Sequence, residues 1–182
     1  MLYLALSQSF YTLSSTLSLV ETPPRILALD VGDRRIGLAI TDPLGLTAQP
    51  LFTLHRAAPK PNLRADLKSI ARFIRQHKIE VLIVGNPLHA DGSPSPQAAK
   101  AHAFAQALKQ AHPTLTHLFL DERHTTQQAH ALLDAGSRPT RASGRGERIA
   151  RKDLIDQVAA TILLESFLST GKPNLLPDPD LV

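Results

Sequence analysis

Four acidic residues stand out in this chain because of what surrounds them. Asp30 closes the apolar run "ILALD" beside a glycine turn, and the pair Asp121 and Glu122 closes a second apolar run within "HLFLDER". Asp156 is stranger. Counting four, seven and eleven residues on from it reaches Ala160, Leu163 and Phe167, so it shares a helical face with residues suited to packing. Each carboxylate alone has an ordinary explanation: Asp30 stabilises its turn, Asp121 pairs with Arg123, and Asp156 pairs with Lys152 at helical spacing. Taken together they describe another chemistry. Ionised groups this close repel unless a cation offsets them, and a hard ion such as Mg²⁺ takes oxygen ligands. A carboxylate cluster of that kind can hold two metals for in-line attack of water on a phosphodiester.

The positive charge is as localised as the acids. The chain carries a net +4, yet residues 138–152, "RPTRASGRGERIARK", hold six Lys/Arg against one Glu, which leaves −1 for everything else. Its Gly, Ser and Pro content reads as a mobile loop. Arginine forks suit phosphate, and neutralising several phosphates gives salt-dependent affinity, so the segment reads as an arm for a polyanion. His124 is placed to act as a base but fits a helix start equally well, and Thr125 and Thr126 read first as helix caps.

The elements that must position these groups follow from periodicity. "RILALDVG" and "RIGLAITD" form a hairpin-like pair, and "PLFTLHR" is a third short run, so the three are expected to pair antiparallel. In "NLRADLKSIARFIRQ", Leu63, Leu67, Ile70 and Ile74 recur at helical spacing. "VLIVGNP" has the unbroken apolar character of a strand covered on both faces. The next helix is capped by Ser95 with Pro96 at its first position, and turns Ala98, Ala101, Ala105 and Leu108 inward. "HLFLDER" is a fifth strand. A short helix is expected between Thr125 and the stop at Gly136, and a last one over about 149–168. Three antiparallel strands followed by two reached through helical crossovers make an α/β, ribonuclease H-like fold. It is a five-stranded mixed sheet in the order 3-2-1-4-5, with strand 2 antiparallel and helices on both faces.

At 182 residues and 43% hydrophobic content the chain is expected to form one domain over 25–170. Residues 1–24, rich in Ser, Thr and Leu, read as a flexible extension, and 171–182 as an irregular tail. There is no cysteine, which removes disulfides and thiolate metal sites. No apolar run approaches the roughly 20 residues that span a bilayer, so a soluble protein is expected. None of the glycines sits in a nucleotide-binding fingerprint.

"LALDVGDRRIGLAITD", "LIVGNPLHADGS", "FLDERHTT" and "KDLIDQVAATILLESFL" resemble, in order, the four blocks of the YqgF family, also called RuvX, within the RuvC and ribonuclease H-like superfamily. The resemblance covers about 25–170. It implies a cytoplasmic metal-dependent endonuclease that trims the 5′ end of precursor 16S ribosomal RNA, with a Holliday-junction resolvase as the alternative. The implied catalytic and metal-ligating acids are Asp30, Glu122 and Asp156, holding Mg²⁺ or Mn²⁺, with nucleic acid as partner and no small-molecule cofactor. The expected substrate contacts are Arg34 and Arg35 in the first turn, Arg123 and Thr125 after the fifth strand, and Arg141, Arg145, Arg148 and Lys152 from the basic segment. The chain departs from the family's pattern at Asn86, where Leu is common, and at His89 and Ala90 in place of Asn and Met. Two other classes fit part of the sequence. "LDVGDRRIG" is similar to the first phosphate loop of sugar kinases and actin-like ATPases, which build a cleft between two such domains where this chain has one. A non-enzymatic RNA-binding module would need the basic segment and not the acids.

Overall fold

The computed structural model describes residues 22–57, 60–88, 93, 95–121, 145–170 and 175–176. Within them β1 (Ile26–Val31), β2 (Arg35–Thr41) and β3 (Ala48–His55) form an antiparallel meander. Helix α1 (Leu63–His77) leads to β4 (Val81–Asn86), which pairs parallel with β1. Helix α2 (Pro96–Ala111) leads to β5 (Thr116–Asp121), which pairs parallel with β4. The last helix, α3, spans Arg145–Thr170. The expected mixed sheet and its order are therefore present.

The sheet has a sixth member. Within the tail expected to be irregular, β6 (Leu175–Leu176) pairs antiparallel with β5, giving the order β3-β2-β1-β4-β5-β6. Two residues are too few to show a period, but they satisfy backbone groups along the open edge of β5.

Alternation along the strands builds two cores. Leu27, Leu29, Ile36, Leu38, Leu82 and Val84 face α1 and α2, which contribute Ile70, Ile74, Ala101, Ala105 and Leu108. Ile26, Ala28, Ala39, Ile83 and Leu120 face α3, which answers with Ala160, Leu163 and Leu164. The alanines on this second face let the helix lie close to the sheet.

The helix starts follow the local chemistry. Asn62 caps α1, its side chain accepting from the Ala65 amide at 3.1 Å, and Ser95 caps α2 with Pro96 at its start. The expected inward face of α1 is corrected at Leu63, the first residue of the helix, which is 43% exposed. Helix α3 begins four residues before the expected start. Arg145 and Arg148 thus belong to a helix rather than to a loop, since the Arg- and Ala-containing run "RGERIARK" continues the helical stretch despite Gly146. The expected helix between Thr125 and Gly136 lies outside the described residues.

Candidate active site

The α3 face of the sheet continues the alternation of Ile26 and Ala28 to Asp30 at the end of β1. In the ladder Asp30 stands opposite Gly37 of β2. A Cβ at Gly37 would lie 2.1 Å from the main-chain oxygen of Asp156 and 2.6 Å from its carbonyl carbon. Only a residue without a side chain lets α3 press on the sheet here. One glycine thus brings together two carboxylate-bearing residues 126 positions apart in the chain, Asp30 beside it and Asp156 above it.

Asp156 is 21% exposed, and the Arg35 Nε donates to its Oδ2. The ordinary alternative, a helical pair with Lys152, does not describe this contact: Lys152 is exposed on its helix, whereas Arg35 stands two residues before Gly37 on the strand face that α3 covers. Burial pushes the Asp156 carboxyl above the ordinary aspartate value, and Asp153 adds to that. The hydrogen bond and charge of Arg35, and the charge of His55, pull the other way. Arg35, one of the expected substrate contacts, thus also bonds Asp156.

Strand β3 holds the same stretch of α3. Thr53 Oγ1 donates to the Asp153 carbonyl at 2.8 Å, and His55 Nε2 lies 3.0 Å from Asp153 Oδ2. His55 is also the ladder partner of Arg35, so the side chains of two adjacent strands meet two acids one helical turn apart. Sequence reasoning missed Thr53, His55 and Asp153. The available signal was the spacing of Asp153 and Asp156 at i and i+3.

The β1–β2 turn is fastened from the opposite face. Gln97 Nε2 donates to the Val31 carbonyl at 2.6 Å, Arg56 Nη1 to the Gly32 carbonyl at 2.8 Å, and Lys100 Nζ pairs with Asp33 Oδ1 at 2.7 Å. Arg56 itself is held by Asp66 at 2.9 Å, with side chains only 9% and 4% exposed, and its guanidinium lies 5.4 Å from the centre of the Phe104 ring. Arg34 projects into solvent at the tip of this anchored turn.

The parallel strands β1, β4 and β5 end on the same side of the sheet, and Asn86 is the ladder partner of Asp121 at that rim. Asn86 is 4% exposed, and its Oδ1 has no hydrogen-bond partner among the described residues. Glu122 directly follows the last residue of β5. Glu122, Arg123, His124, Thr125 and Arg141 lie outside the described residues, and Arg145 and Arg148 are described by their backbone in the first turns of α3. Among the described residues no group of three or more His, Cys, Asp or Glu is placed to hold a metal ion. What they do supply is a pair of hard oxygen donors, Asp30 and Asp156, flanking Gly37, in a chain with no thiol. That donor chemistry fits a hard divalent cation.

Among the described residues no helix is long and apolar enough to cross a membrane. A family model described as RuvX, Holliday junction resolvase, matches residues 24–170. Two curated relatives, each named "Putative pre-16S rRNA nuclease", come from Moorella thermoacetica and Myxococcus xanthus. The first is 43% identical over 79% of this chain and 94% of its own. The second is 34% identical over 86% and 93%. Among solved structures, Thermus thermophilus RuvC in complex with Holliday junction substrate superposes with a TM-score of 0.51 at 13% identity, covering 85% of this chain and 100% of that one. Thermus thermophilus RuvC without that description gives 0.50 at 11% identity, covering 84% and 99%. At such identities these two structures bear on the fold alone, and they share it.

Proposed function

The chain belongs to the RuvX family, and we propose that it is a metal-dependent nuclease that hydrolyses phosphodiester bonds of precursor 16S ribosomal RNA in the cytoplasm. The observation that carries this reading is the contact at Gly37, which sets the carboxylate-bearing residues Asp30 and Asp156 side by side on one face of the sheet.

Asp30, Asp156 and Glu122 would hold Mg²⁺ or Mn²⁺. The bound ion supplies an activated water and offsets charge on the phosphate. The chain's own residues do the rest. The Asp156 main chain is fixed by the helix contact and by the β3 clamp on Asp153, so its carboxylate would hold an ion without reorganising the backbone. Arg34, exposed on the anchored turn, and Lys152, exposed on α3, take phosphates to either side. Arg145 and Arg148 extend that track toward the start of α3, with Arg123, Thr125 and Arg141 as the remaining substrate contacts.

The matched family's own description favours a second substrate, a four-way DNA junction. A cleavage assay separates the two: a precursor ribosomal RNA fragment and a four-way junction are each incubated with the protein in Mg²⁺ and in Mn²⁺, beside Asp30→Asn. Cutting of the RNA that vanishes in the variant is the expected result. Preferential cutting of the junction moves the substrate to DNA. Binding of RNA that is unaltered in Asp30→Asn, without cleavage by the parent in either metal, replaces the nuclease with an RNA-binding module.

A further inference from the structure

We propose that Arg35 is a built-in counter-ion for Asp156 that metal displaces, so that cation binding releases the guanidinium to hold a nucleic-acid phosphate. The proposal rests on the nuclease reading above, in which Asp156 is a metal ligand. It starts from one contact, the Arg35 Nε bonded to Asp156 Oδ2 between side chains 26% and 21% exposed. A guanidinium on this oxygen weakens it as a ligand for a hard dication, because the two cations repel across it, so they compete for the carboxylate. In the proposed exchange one of them leaves.

The surrounding contacts say which side moves. The Asp156 main chain is packed on Gly37, and Thr53 and His55 hold Asp153 one turn earlier, so α3 is pinned to β2 and β3 at this level. Arg35 has a long side chain on a strand whose preceding turn is tied at Val31, Gly32 and Asp33. Its backbone is fixed and its guanidinium is the adjustable part. Once off Asp156, that fork lies next to the cation site, where a substrate phosphate must come, and a planar fork suits phosphate oxygens. Metal and nucleic acid then assist each other's binding, and each does so by the same factor.

The test uses the full chain, Mg²⁺ as one probe and a fluorescein-labelled single-stranded RNA as the other. Calorimetric titration of Mg²⁺ into nucleic-acid-free protein should give an affinity roughly fivefold or more higher in Arg35→Gln than in the parent, in the range typical of coupled sites. Arg35→Lys, which keeps the charge and loses the fork, should fall between them. RNA binding in EDTA supplies the second arm. Arg35→Gln should cost RNA affinity in an Asp156→Asn background, where the guanidinium is free, and cost little in the parent background, where it is engaged. Melting curves confirm that each variant is folded. Unchanged or weaker Mg²⁺ binding in Arg35→Gln, or an RNA loss equal in both backgrounds, overturns the displacement while Asp156→Asn still abolishes Mg²⁺ binding. Mg²⁺ binding that survives Asp156→Asn removes the metal site itself, and the displacement with it.

Discussion

At Asp156 burial and charge pull in opposite directions, and the balance sets its response to pH. Its folded-state pKa is raised, chiefly by burial, so the folded chain binds this proton more readily than the unfolded chain does. The associated stability is complete below the ordinary carboxylate value and is lost as pH rises through the raised folded value. At neutral pH the metal-free protein therefore carries a charge that its surroundings disfavour. Asp156→Asn should melt at the parental temperature or slightly above it at pH 7.5, and that advantage should shrink at pH 4, where the parent's carboxyl gains its proton. Thermal melts in EDTA across this range check the sign. The same variant should lose cleavage by more than roughly 100-fold, since disturbing even the outer neighbours of a metal ligand costs 10- to 100-fold. A lower melting temperature together with a parental cutting rate would return Asp156 to a simple pairing role. In the proposed site Asp30 would act with Asp156 as a unit, so Asp30→Asn combined with Asp156→Asn should cut no more slowly than either variant alone.

Among elements, the decisive joint is the one between β2 and α3. Gly37→Ala places a methyl group where the Asp156 carbonyl lies, and a main-chain atom cannot rotate aside. The helix must lift, at a cost of about 1–3 kcal/mol for overpacking and on the order of 100-fold in rate if Asp156 shifts by about 1 Å. Urea unfolding and cleavage rates measure the two effects separately. On the opposite face, Asp66→Asn leaves Arg56 buried with its charge uncompensated and should cost about 3–5 kcal/mol, whereas Arg56→Met with Asp66→Leu should recover much of that loss. Little of this joinery was legible in the sequence, though the elements themselves were. The strands of "ILALDVG" and "VLIVGN" and the capped start at Ser95 announce themselves because apolar runs and caps act locally. Asp30 and Asp156 were legible for a related reason: each is an acid in an apolar pattern. Arg35 meeting Asp156, Arg56 meeting Asp66 and His55 meeting Asp153 were not, because such pairs depend on which strand register and helix height the whole fold selects. The early start of α3 was hidden by Gly146 and by a composition that suits a loop and an exposed helix turn alike.

Over the whole molecule the charges are segregated. A segment carrying +5 runs into the same helix that bears Asp156, while the remainder of the chain is close to neutral. Arg145 and Asp156 are eleven residues apart on α3, which at helical rise is about 16 Å. One rigid element therefore links the basic end to the proposed cutting site, and a strand lying along the helix would be gripped at a fixed distance from the bond it presents. Binding through such a track should depend steeply on salt and weakly on base sequence, because phosphates carry the contact. Replacing Arg141, Arg145 and Arg148 together with Gln removes three charges. For a single-stranded RNA the slope of log affinity against log salt should then flatten by about 2, at roughly 0.7 per lost contact. The loss should be similar across unrelated sequences, and the Mg²⁺ affinity of the free protein should stay near the parental value, since Arg145 and Arg148 lie about two to three helical turns from Asp156 on α3. Fluorescence anisotropy at several salt concentrations, on two RNAs of different sequence, measures this directly. An unchanged slope would take Arg141, Arg145 and Arg148 out of the interface and leave substrate binding to the anchored turn and Lys152.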